Sequence, residues 1–117
     1  MPRYSTDGPR RHGLLPNGVA KKLPKMRAQE NNPDPIAHVK LFSPYSQATW
    51  YVTEYDPTTG EAFGWADLGM GCGELGYFSI PELAELVRPM GRHALPLIER
   101  DLYWAPCPLS EAIREQA

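Results

Sequence analysis

From residue 36 onward, apolar and polar positions alternate in short runs separated by turn residues, the period of strands in a half-buried sheet. Ile36 to Phe42 sets Ala37, Val39 and Leu41 against His38, Lys40 and Phe42. Ala48 to Tyr55 is densest in β-favouring residues, with Trp50, Val52 and Glu54 alternating against Tyr51, Thr53 and Tyr55. Aromatic bulk on both faces predicts a central strand, or one whose second face is covered. Asp56-Pro57-Thr58-Thr59-Gly60 predicts a hairpin loop, with proline early and glycine late. A third strand then runs from Glu61 to Leu68, and Gly64 within it points to a bulge or a close neighbour. After the glycine-rich turn at 69–73, Glu74 to Phe78 reads as a fourth strand.

Ser79 followed by Glu82, with Pro81 between them, matches a capping box and predicts a helix over 80–88. Leu83, Leu86 and Val87 would share its buried face. Leu97 to Trp104 alternates again and predicts a fifth strand, and Leu109 to Glu115 a short terminal helix. The fold expected is a single α+β domain: a mainly antiparallel sheet of about five strands with one packed helix and a short C-terminal helix.

Residues 1–35 behave differently. Six prolines and three glycines interrupt them, and no period is sustained. Asn31-Asn32-Pro33-Asp34-Pro35 is a strong break, so residues 1–35 are set apart as a basic arm and 36–117 as the domain. Leu14-Leu15 and Leu23-Pro24-Lys25-Met26 are apolar pieces able to pin that arm to the domain.

Charge sharpens the division. Residues 1–30 carry seven basic side chains, Arg10, Arg11, Lys21, Lys22 and Lys25 among them, for a net of +5; residues 31–117 carry -7. A basic arm on an acidic body either contacts nucleic acid or folds back on its own domain. No run approaches the roughly 18 apolar residues of a membrane span. The first residues lack the apolar core of a secretory signal, and two cysteines make no disulfide framework. A cytoplasmic setting with reduced thiols is expected.

Candidate chemistry is thin. Gly69-Met70-Gly71-Cys72-Gly73 superficially matches a phosphate loop, but a strand rather than a helix follows and no Lys-Ser or Lys-Thr pair ends it. Cys72, Cys107, His12, His38 and His93 lack the short spacings of zinc ligands, so neither metal nor cofactor is expected. Glu99 and Asp101 share a face, as paired carboxylates for acid/base work or metal binding would; Arg100 opposite them is expected to pair with Glu54 or Glu74. The surplus of Trp and Tyr, Trp50, Tyr51 and Tyr77 included, suits a protein interface or a stacking platform.

Several stretches carry a resemblance: Val39-Lys40-Leu41-Phe42-Ser43-Pro44, Ala48-Thr49-Trp50, Thr53-Glu54, Ala62-Phe63-Gly64 and Asp67-Leu68-Gly69. It continues through Glu74-Leu75-Gly76-Tyr77, Ile98-Glu99-Arg100-Asp101-Leu102 and Pro108-Leu109-Ser110. On these, residues 36–110 resemble a small bacterial family of unknown function carried on conjugative plasmids and integrative elements. The resemblance implies a mobile-element setting and supplies neither an activity nor catalytic residues to carry over. Small size, aromatic excess, split charge and the lack of a catalytic set make the expected function non-enzymatic: binding a host protein or nucleoprotein complex, as an antagonist of host defence does. Nucleic-acid binding through the arm, in plasmid transfer or its regulation, is the alternative. A metal-dependent hydrolase or nuclease using Glu99 and Asp101 is the third.

Overall fold

The computed structural model describes residues 14–90 and 93–116. The expected first strand divides at His38 into β1 (Ile36–Ala37) and β2 (Val39–Phe42). β3 (Thr49–Asp56), β4 (Glu61–Asp67) and β5 (Glu74–Ser79) follow as a meander. The expected helix is shorter: α2 (Ile80–Glu85), preceded by the single turn α1 (Asn17–Ala20). In place of its last turn stands a hairpin, β6 (Val87–Met90) with β7 (His93–Pro96). The ring of Pro89 would meet the Glu85 carbonyl in a continued helix, which ends α2 at Glu85. Ser79 Oγ accepts from the Glu82 amide at 3.3 Å, the cap read from sequence.

The fifth strand contracts to β8 (Glu99–Arg100). Asp101 turns the chain, its Oδ1 accepting from the Tyr103 amide at 3.0 Å. Then come β9 (Cys107–Pro108) and α3 (Leu109–Gln116), with β9 pairing to β1. The main sheet has five antiparallel strands in the order β5-β4-β3-β2-β8, as expected of an α+β domain.

Both faces are covered. Leu41, Trp50, Val52, Tyr55 and Ala62 face a core completed by Leu14, Leu15, Ile80 and Ala84. Residues 14–35, which the charge pattern set apart, therefore lie on the sheet: Leu14 is wholly buried, and the Tyr55 amide donates to the Pro24 carbonyl at 3.0 Å. On the opposite face Tyr51, Trp65 and Trp104 lie beneath Leu109 and Ala112 of α3. Ring centroids there are 5.8 Å apart for Tyr51 and Trp65 and 5.4 Å for Tyr51 and Trp104.

A bulge at Thr53 reorders β3. Val52 pairs with Gly64 and Glu54 with Phe63, leaving Thr53 unmatched. Simple alternation put Glu54 with Trp50 and Val52. The extra residue inverts the faces beyond it, so Tyr55 joins the core and Glu54 faces the other way. Gly64 stands opposite the bulge, where an added Cβ would run into the Tyr51 carbonyl.

Candidate interaction surface at the sheet edge

Among the described residues β5 is an edge strand, hydrogen-bonded to β4 on one side only. The hairpin loop and the glycine turn put it there: Gly69 and Gly71, both at positive φ (94° and 80°), let the chain reverse before it. Asp67 fixes the start of that turn, its Oδ1 accepting from the Gly69 and Met70 amides at 2.9 and 3.2 Å. Leu75 and Tyr77 project from β5 at 58% and 65% exposure, and Leu68 and Met70 of the turn are also exposed. The Tyr77 ring meets Phe63 edge-on, with centroids 4.9 Å apart.

Cavities flank this edge on both faces. One of about 420 Å³ is lined by Pro33, Pro35, Glu54, Phe63, Leu75 and Tyr77. Another of about 450 Å³ is lined by Trp50, Ala66, Met70, Glu74, Tyr77 and Phe78. A third depression of about 480 Å³, at the Ser79 end, takes in Asp56, Glu61 and Glu82. Tyr77 lines all three.

The wall of the first cavity is built by a buried carboxylate. Glu54 is 5% exposed, and its two oxygens accept from the Arg27 and Gln29 amides at 2.8 and 2.7 Å. Arg27 takes a positive φ of 71° to present its amide. The Gln29 side chain donates to the Thr53 and Ile36 carbonyls and accepts from the Ile36 amide at 2.7 Å. Residues 27–36 are thereby stitched to β3.

Of the residues singled out from sequence, Trp50, Glu74 and Tyr77 meet around one cavity. Tyr51 is buried on the other face as an anchor for α3, its hydroxyl within 3.2 Å of the Ala112 carbonyl. Burial pushes the pKa of that phenol up to about 12. Glu99 and Arg100 lie on β8 at the opposite edge, across from Phe42 and Leu41 respectively. Four strand spacings, roughly 19 Å, separate that edge from Glu74. Glu99 and Asp101 therefore share no cleft with Glu74, and Asp101 is a turn former. Glu54, expected beside Arg100, is held instead by the 27–29 segment, while burial lowers the pKa of Arg100. Lys21, Lys22 and Lys25 are exposed; Arg10 and Arg11 lie outside the described residues.

Among the described residues, no three His, Cys, Asp or Glu side chains converge where they would hold a metal. Both cysteines are free; Cys72 is exposed, and Cys107 is half-buried, with burial and nearby carboxylates pushing its thiol pKa up. That opposes the thiolate a nucleophile requires. Leu75, Met70 and Leu68 were absent from the sequence candidates. Alternation marks Leu75 and Tyr77 as one face, but only the strand order reveals that this face ends at an edge.

A family model described as "Protein of unknown function (DUF2958)" matches residues 14–116, and the chain belongs to that family. The match spans the buried Leu14 and Leu15 as well as the strands, so the covering segment and the sheet fall within one family unit. No curated protein and no solved structure matches the chain. Among the described residues no helix is long and apolar enough to cross a membrane.

Proposed function

We propose that this protein is a binding module without catalytic activity, which takes an extended segment of a partner protein onto the edge of β5 that no described strand pairs with. The observation that carries this reading is an edge strand bearing exposed Leu75 and Tyr77 between cavities on both faces. Strand addition uses both parts: backbone hydrogen bonds along the edge supply affinity, and pockets for alternate side chains supply specificity. An edge left this apolar is otherwise a liability to the cell, since it invites unspecific pairing. The mobile-element setting implied by the resemblance supplies the partner's class, a host defence protein or nucleoprotein complex that the module antagonises by occupying it.

The test is capture from host lysate with the wild-type protein and with Leu75→Ser/Tyr77→Ser, followed by reconstitution with the purified captured protein. Both side chains are exposed, so the double variant is expected to fold. It should lose the partner, and amides 74–79 should exchange more slowly in the wild-type complex. Protection confined to α3 or to residues 21–25 would remove the reading.

A second reading, nucleic-acid contact, draws on Lys21, Lys22 and Lys25, which stand exposed within five residues of one another. It requires affinity that falls steeply with salt.

A further inference from the structure

We infer that the segment received by β5 is a basic strand running antiparallel to it, with Lys or Arg at its N-terminal end and a bulky apolar residue opposite Gly76. This deepens the strand-addition reading and rests on it. The surroundings of β5 are acidic: the three cavities are lined by Glu30, Glu54, Asp56, Glu61, Glu74 and Glu82. Among the described residues lining them, Arg27 is the one basic side chain, and Glu30 holds it at 2.8 Å. Glu54 is engaged by amides, and Asp56 Oδ1 accepts from the Thr58 amide and hydroxyl at 2.9 and 2.6 Å. Glu61, Glu74 and Glu82 are exposed and line these cavities beside β5. Like charges lining an interface disfavour an acidic partner and steer a basic one.

Direction follows from the sheet. Every pairing within it is antiparallel, and continuing that pattern sets the partner's N-terminal end beside Ser79. Glu82 lies in the first turn of α2, directly after β5, and Glu61, one strand inward, lines the same depression at Ser79, so two carboxylates border that end. At mid-strand, no described residue stands within 4 Å of where a Gly76 Cβ would be. That opening lies on the face with Trp50, Met70 and Phe78, and a large side chain on the incoming strand fills it as aromatics fill over edge glycines. Alternate residues of the strand would enter the cavity of Pro33, Pro35 and Phe63 on the other face.

The experiment is fluorescence titration of the full chain with four acetylated, amidated ten-residue peptides. All share an alternating Thr/Val core with one central Trp. They carry, respectively, two Lys at the N-terminal end, two Lys at the C-terminal end, two Glu at the N-terminal end, or no added charge. The N-terminal Lys peptide should bind about fivefold tighter than the uncharged one, the contribution of two exposed ion pairs. The advantage should shrink in high salt and disappear in Glu61→Gln/Glu82→Gln, with affinity for the uncharged peptide unchanged. Equal binding of the Lys and uncharged peptides overturns the charge inference and leaves strand addition standing. Equal binding of the two Lys peptides overturns the direction. Binding of none, with amides 74–79 unprotected in the reconstituted complex, overturns both readings. A homodimer in sedimentation that Leu75→Ser/Tyr77→Ser dissociates would make the occupant a second copy and overturn the peptide.

Discussion

Two residues opposite one bulge decide which way the middle of this sheet faces. Thr53 is the extra residue, its hydroxyl donating to the Phe63 carbonyl at 2.9 Å, and Gly64 leaves room for the displaced backbone. Gly64→Ala places a methyl group on the Tyr51 carbonyl, with no flexible side chain to yield. It should destabilise the fold by about 3 kcal/mol or more, among the larger effects of a single substitution. Gly76→Ala, into open space, should stay within about 0.5 kcal/mol, and urea midpoints of the two variants check the contrast. Glu54, turned by the bulge to the face opposite Val52 and still buried, is the acceptor for two backbone donors. Glu54→Gln keeps the shape but turns an amide group toward an N–H, leaving a buried donor unsatisfied. A loss of about 2 kcal/mol is expected. A midpoint equal to wild type at neutral pH would show that the 27–29 segment is held by other contacts.

The strands β2 to β5 and the start of α2 were legible because local signals agree there: alternation, a proline-to-glycine loop, and Ser79 three residues before Glu82. Gly64 marked a bulge or a close neighbour, but not that Thr53 across from it would be the extra residue, since Thr53 is set aside by its neighbours on β4 and by Gln29, none adjacent in sequence. The 87–96 hairpin was not legible either, where Leu83, Leu86 and Val87 continue a helical period that Pro89 forbids. In the candidate site, Glu74 and Tyr77 could be chosen by residue type. Their role as an edge depends on where β8 joins the sheet. The anchoring of α3 was likewise hidden. Asp34, part of the break that ended the supposed arm, accepts from the Ser110 amide and hydroxyl at 3.0 and 2.6 Å and so caps that helix from a distance. The Ser110 hydroxyl, more than its amide, holds the Asp34 pKa below the ordinary value. A depressed carboxylate stabilises the fold fully above its unfolded pKa, about 3.9, and loses that contribution as pH falls through the lower folded value. Asp34→Ala should therefore speed amide exchange in α3 at neutral pH and leave exchange in β3 and β4 nearly unchanged. Lowering the pH through the acid range should bring the two proteins together.

The described residues form a sheet with two coats, and the N-terminal coat changes how the basic segment must be tested. Deleting residues 1–30 would be the direct way to ask whether their charge binds nucleic acid. That deletion, however, removes Leu14 and Leu15 from the core and the Arg27 and Gln29 amides from Glu54. Each buried leucine truncated to alanine costs about 2–5 kcal/mol, comparable with the whole stability of a domain this size. The shortened protein should lose its cooperative unfolding transition and become protease-sensitive, so any lost binding would report unfolding. Lys21, Lys22 and Lys25 separate charge from structure because all three are exposed. Lys21→Gln/Lys22→Gln/Lys25→Gln should keep the thermal midpoint within about 3 °C of wild type, the range of neutral surface changes. If the lysines contact phosphates, the triple variant should weaken binding to a mixed-sequence duplex and flatten the salt dependence by up to about three charges. An unchanged salt slope in a protein that melts like wild type would take these lysines out of any nucleic-acid surface and leave the β5 edge as the face that meets a partner.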